Sequence, residues 1–159
     1  MSHFPDMRYF EDVQVGDRFD TAEMEITAAD IIAFGRQYDP QPFHTDPAAA
    51  GDTLFGRLVA SGWHTAAVSM RLMVLSDMQL DGGVIGQGVE ALRWPRPVLP
   101  GDRLRVVMEV AELRPIAHRP ERGLIRLHCR TLNQHGKIVQ DMTASLVIAR
   151  RHPLPPATD

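Results

Sequence analysis

The sequence predicts an α+β fold in which an antiparallel sheet wraps around one buried helix. Two observations carry this. A helical stretch that is apolar on nearly every face begins at Gly62, and the second half of the chain then changes to period-two alternation over several segments. A helix apolar all round belongs in a core, and strands that alternate in period two have one face to bury. Helix and sheet are each other's available partners.

The elements follow in chain order. Residues 18–26 read as a strand of weak pattern. Thr27 opens a helix, because its hydroxyl can accept from free backbone N–H groups and Asp30 lies in the first turn. Ile31, Ile32 and Phe34 give that helix its apolar surface. It stops near Tyr38, since Pro40 disfavours helical backbone at Asp39. Residues 39–58 read as a loop holding Pro40, Pro42, Pro47, Gly51 and Gly56; a long irregular loop inside a compact domain is uncommon and often functional. The helix from Gly62 runs to about Met78. Strands follow over 83–93, 103–113, 124–132 and 137–150. Leu104, Val106, Met108 and Val110 share one face of the second; Ile125, Leu127 and Cys129 share one face of the third; Ile138, Met142, Ala144, Leu146 and Ile148 share one face of the fourth. Pro100-Gly101-Asp102 and Asn133-Gln134-His135-Gly136 supply turns. A sheet around a central helix is the hotdog arrangement. The expectation is a single hotdog domain over residues 1–152 and a flexible proline-rich tail over 153–159.

Bulk properties narrow the function classes. The 159 residues suit one domain, and 44% apolar with 23% charged residues is ordinary globular composition. The net charge is −3 and acids are interspersed among the arginines, which argues against a nucleic-acid partner. The single cysteine, Cys129, cannot form an internal disulfide, so a reducing compartment is its natural place. Residues 1–12 lack the apolar core of a signal peptide. The most apolar stretch, residues 63–75, is too short for a membrane span and carries Arg71. A cytoplasmic protein with no membrane partner is expected.

The chemistry-bearing segment is Tyr38-Asp39-Pro40-Gln41-Pro42-Phe43-His44-Thr45-Asp46. An acid and a histidine lie five positions apart on a stretch that two prolines stiffen, so the pair can be held in place before substrate arrives. Adding water to a conjugated thioester needs a water made nucleophilic at one carbon and a proton delivered to the next. A histidine exchanges protons at neutral pH, and a carboxylate beside it orients the water. Taken alone, the pair reads sooner as an Asp-Pro turn next to a surface histidine. The second feature is Ala60-Ser61-Gly62-Trp63-His64. A glycine at a helix start offers backbone N–H groups at the positive end of the dipole and lets a ligand approach closely. That suits a thioester oxygen as it becomes an enolate, and it suits an ordinary helix start as well.

Taken together, the motifs resemble the MaoC-like dehydratases, which include the (R)-specific enoyl-CoA hydratases. The likeness spans roughly residues 9–151. It rests on Tyr9-Phe10-Glu11-Asp12 with Val15-Gly16-Asp17, on the 39–46 segment, on residues 56–64, and on Arg93-Trp94-Pro95-Arg96-Pro97-Val98-Leu99-Pro100-Gly101-Asp102. The resemblance implies a MaoC-like hotdog domain, a homodimer, an acyl-CoA thioester as substrate, and no cofactor apart from the coenzyme A that the substrate carries. It puts the catalytic acid and histidine on Asp39 and His44, and the oxyanion-binding amide on Gly62. The implied reaction is the reversible hydration of a trans-2-enoyl-CoA to a 3-hydroxyacyl-CoA. One position departs from the family pattern: Gln41 stands where asparagine is usual, next to an additional proline, Pro40.

Other residues carry weaker signals. Arg93, Arg96, Arg114, Arg119 and Arg122 flank expected strand ends; Arg96, between two prolines, is the first candidate for the phosphates of coenzyme A. His64 reads as a hydrogen-bonded histidine at a helix start, Asp46 as the cap of residues 47–50, and Cys129 as packing. Met70, Met73 and Met78 read as core, with a deformable acyl pocket as the other possibility. No spacing matches a metal motif. Two other functions stay open: a non-catalytic acyl-CoA-binding protein, for which Gln41 is the hint, and a thioesterase. The latter is disfavoured because the only acid on the expected helix, Asp77, lies near its far end.

Overall fold

The computed structural model describes residues 7–155. Four helices form: α1 (Ala28–Tyr38), α2 (Pro42–Thr45), α3 (Pro47–Ala50) and α4 (Gly62–Val74). At the start of α1 the Thr27 hydroxyl accepts from the Asp30 N–H, and the Asp30 carboxylate accepts from the Thr27 N–H. This reciprocal pairing satisfies two orphan donors of the first turn. The expected loop over 39–58 is not all loop. Pro42 and Pro47 each open a single helical turn, at positions where the missing N–H costs nothing.

The strands are β1 (Arg18–Asp20), β2 (Met24–Glu25), β3 (Ile85–Arg93), β4 (Arg103–Pro115), β5 (Arg122–Leu132) and β6 (Ile138–Ala149). The weak strand expected over 18–26 is thus two short ones. The sheet order is β1-β4-β5-β6-β3, with β2 also on β4 and every pairing antiparallel. Across β5 and β6, Ile125 faces Leu146, Leu127 faces Ala144, Cys129 faces Met142 and Thr131 faces Gln140. These residues, with Leu104, Val106, Met108 and Val110 of β4, are buried against Val68, Leu72 and Met73 of α4. The sheet thus wraps the helix, which is the hotdog fold.

Three details differ from the sequence reading. Helix α4 ends at Val74, because the chain turns as the Ser76 hydroxyl bonds the Met73 carbonyl. Its outer face is not buried: Trp63, Met70 and Val74 are exposed. On β6 the core-facing place is taken by Gln140, only 1% exposed, while Ile138 is half-buried beside a register shift. At the C-terminal end, the Leu154 N–H donates to the Pro120 carbonyl; residues 156–159 of the expected tail lie outside the described residues. Among the described residues no helix is long and apolar enough to cross a membrane.

Candidate active site

Asp39 caps the C-terminus of α1, and His44 sits on α2 immediately after it. The two helices meet at Gly35. A Cβ there would stand 2.6 Å from the His44 carbonyl oxygen and 3.0 Å from the His44 Cβ, so only glycine allows this approach. The contact holds the backbone of His44 against α1. The segment after α3 is fastened in turn: the Val59 N–H donates to the Phe43 carbonyl, and the Ala60 N–H donates to the Val98 carbonyl.

These contacts bring the side chains together. His44 is buried, with its Nδ1 2.7 Å from the Val59 carbonyl oxygen. A carbonyl only accepts, so Nδ1 carries the hydrogen and Nε2 is the nitrogen left to exchange protons. That Nε2 lies 3.2 Å from Asp39 Oδ2. The same Oδ2 accepts from the Ser61 hydroxyl at 2.7 Å, and Oδ1 accepts from the Gln41 amide at 2.7 Å. Burial pushes the Asp39 pKa up, but the hydrogen bonds from Gln41 and Ser61 and the neighbouring His44 outweigh it and hold the carboxyl below its usual range. Asp39 is therefore a carboxylate at neutral pH.

Ser61 has a second task. It is the N-cap of α4, and its hydroxyl oxygen accepts from the Trp63 N–H at 3.3 Å. One side chain thus ties the acid to the start of the central helix. Gly62 follows as the first residue of α4, and its N–H has no hydrogen-bond partner among the described residues. A pocket of about 370 Å³ opens here, lined by His44, Phe55, Val59, Gly62, Trp94 and Arg96 among others. Its size falls in the range of small-molecule sites. Arg96 stands at the pocket, exposed, with its Nη1 donating to the Ile138 carbonyl at 3.0 Å.

The structure thus gathers His44, Gly62 and Arg96 around one cavity, with Asp39 against His44. It also adds residues that the sequence reading did not single out. Ser61 was readable as a helix cap, but nothing in its spacing announced that it reaches Asp39. Gly35 had a signal, since a glycine inside a helix often marks a close approach. Trp94 lay in the quoted 93–102 motif without a role of its own, and the Val59 carbonyl had no signal. Gln41, a departure from the family pattern, reaches back to the acid and steadies it.

Several weaker expectations resolve. Asp46 caps α3, accepting from the Ala48 and Ala49 N–H groups. His64 is buried and stacks on Phe34 with ring centroids 4.8 Å apart, but its Nδ1 has no partner among the described residues; the expected hydrogen bond is not made, because the ring turns toward α1. Met73 and Met78 are core residues, Met70 is exposed, and none of the three lines the pocket. Asp77 lies beyond the end of α4. The buried Cys129 thiol is pushed up to about 12 by burial, which leaves it inert. No group of three or more His, Cys, Asp or Glu side chains among the described residues is arranged to hold a metal ion.

Comparison with known proteins bears on this arrangement. The model of the MaoC-like domain family matches residues 11–124. The chain is 30% identical over 155 residues to a 3-hydroxybutyryl-CoA dehydratase of Methylorubrum extorquens, covering 96% of this chain and 92% of that protein. Among solved structures it is similar to a MaoC-like dehydratase from Rhodospirillum rubrum, with 50% identity, a TM-score of 0.87, and coverage of 92% of this chain and 99% of that one. It is also similar to the R-hydratase PhaJ1 from Pseudomonas aeruginosa, with 28% identity, a TM-score of 0.72, and coverage of 95% and 96%.

Proposed function

This chain belongs to the MaoC-like domain family, and on that premise we propose that it reversibly hydrates a trans-2-enoyl-CoA to a 3-hydroxyacyl-CoA. The observation that carries the reading is the fixed pair, Asp39 Oδ2 and His44 Nε2 3.2 Å apart, with His44 and Gly62 both lining one pocket. In hydration, Asp39 and His44 hold one water between them. Its oxygen forms a bond to C3 of the enoyl group while His44 Nε2 takes a proton. The electrons of the double bond shift toward the thioester, whose oxygen gains negative charge and is met by the Gly62 N–H at the positive end of α4. The proton is then delivered to C2, so that one water has been added overall. Dehydration runs the same steps backward.

No cofactor enters this scheme, since coenzyme A arrives as part of the substrate. Arg96, which lines the pocket, is the residue proposed to meet its phosphates. The working form is a homodimer, as the family resemblance implies: among the described residues β3 pairs only with β6, leaving an edge that a second copy can cover.

The test is the loss of enoyl absorbance with crotonyl-CoA, run beside Asp39→Asn and His44→Ala proteins whose folding is verified. Both variants are expected to fall by on the order of a hundredfold or more, as loss of acid–base catalysis dictates. A wild type inert on crotonyl-CoA and on longer and branched enoyl-CoAs sinks the reading. Binding of acyl-CoA without turnover would then leave a carrier-like protein.

A further inference from the structure

Gly62 is held from behind by one side chain. A Cβ built on Gly62 would stand 2.5, 2.6 and 2.8 Å from Cδ2, Cε2 and Cε3 of Trp94. The indole therefore rests directly on the Gly62 backbone, and no larger residue fits between them. Trp63 meets the same indole edge-on, with centroids 5.2 Å apart at 78°. On its far side the Trp94 Nε1–H donates to Gln140 Oε1 at 2.9 Å.

Gln140 is the unusual member. It is 1% exposed, on the core-facing side of β6 between Ile138 and Met142 and opposite the buried Thr131. Among the described residues its NH₂ group finds only the Met142 thioether, at 3.9 Å. A buried amide with poor partners costs about 1–3 kcal/mol, and a leucine would fill the same space without that cost. What the amide accomplishes is to fix the orientation of Trp94. The rest of the segment is pinned at both ends, by Arg96 on the Ile138 carbonyl and by Val98 on the Ala60 N–H. Pro95 and Pro97 stiffen the backbone between.

We propose that Trp94, clamped by Gln140, is a positioning residue that holds Gly62 and the first turn of α4 where the Gly62 N–H meets the thioester oxygen; this rests on the hydratase reading above. A backbone donor aimed at developing charge works because it does not have to move, and a displacement near 1 Å in such a site costs about a hundredfold in rate. Trp94 carries no proton in the reaction. It acts through the glycine it touches.

The experiment compares Trp94→Ala, Trp94→Phe and Gln140→Leu with wild type on crotonyl-CoA, reading kcat and KM separately together with the thermal midpoint. Trp94→Ala is expected to lower kcat by about tenfold to a hundredfold with KM changed by less than about threefold, the pattern of an interaction made only in the transition state. Trp94→Phe keeps an aromatic face on Gly62 and is expected to recover most of the rate. Gln140→Leu leaves no cavity, so the protein stays folded while kcat falls part of the way. A lowered thermal midpoint with unchanged kcat overturns the proposal, and so does a raised KM with unchanged kcat, which would make Trp94 a plain pocket wall. A wild type inert on every enoyl-CoA removes the hydratase reading and this inference with it, whereas an active wild type with an unaffected Trp94→Ala variant removes this inference alone.

Discussion

The segment that carries Asp39, His44 and Ser61 and the surface formed by α4 and β3 treat buried and exposed groups in opposite ways. In the first, polar groups that leave water are paired: His44 with Val59 and Asp39, Asp39 with Gln41 and Ser61, Ser61 with the start of α4. In the second, apolar groups that ordinarily leave water stay in it. Trp63 is 60% exposed and Val89 is 54% exposed, although Val89 lies opposite the core-facing Ala144. The Asp39–His44 pair is thus assembled within one chain, while the apolar surface of α4 and β3 is left uncovered. A second copy laid against the free edge of β3 would cover it, and a two-fold axis would make the contact self-complementary.

The largest way to break that contrast is to make the unfinished surface polar. Val89→Asp sets a carboxylate on the inner side of the edge strand, far from Asp39 in sequence and with no role in its pairing. Light scattering at micromolar concentration is expected to show a dimer for wild type and a monomer for this variant. A wild type that stays monomeric at high concentration removes the second copy from the account.

A smaller effect sharpens the other side of the comparison. Ser61→Ala removes the hydroxyl that serves both Asp39 and the α4 cap. Loss of the cap is expected to cost about 0.5–2 kcal/mol of stability. The kinetic effect has a defined sign. The Ser61 hydrogen bond helps hold the Asp39 pKa down, so without it the acid needs a higher pH to ionise. The acid limb of kcat against pH should move upward, and Gln41→Leu should move it the same way through the other carboxylate oxygen. A limb that stays in place in both variants shows that Asp39 ionisation does not govern the rate.

The same contrast explains what could be read from the sequence. The hotdog fold was legible because period-two alternation over β4, β5 and β6 and the apolar run from Gly62 are repeated, redundant signals. The Asp39 to His44 spacing was legible because prolines punctuate it. The contacts that orient the pair were not. Ser61 reaches Asp39 across 22 positions and Trp94 reaches Gln140 across 46, and no local pattern encodes such pairings. The outer face of α4 was misjudged for a related reason. An apolar helix face looks the same in sequence whether its own sheet or another copy of the chain covers it.

The smallest effect belongs to a buried group that the reaction scheme leaves aside. His64 lies on α4 two residues past Gly62, stacked on Phe34, with no partner for its Nδ1 among the described residues. Burial holds its pKa below the usual histidine value, and attraction to Asp30 only partly opposes this. The folded state therefore keeps the ring neutral at a pH where the unfolded chain has already bound a proton. Stability from this group is complete above about pH 6.5, the ordinary histidine value, and is lost as the pH falls below it toward the folded-state pKa, at no more than about 1.4 kcal/mol per pH unit. The comparison is the urea midpoint at pH 7.5 and pH 5.5 for wild type and for His64→Gln, which cannot titrate. Wild type is expected to lose more between the two. Equal losses would mean that the His64 ring takes up its proton as readily in the fold as in the open chain, and that a water or a shift of α1 supplies the partner Nδ1 lacks.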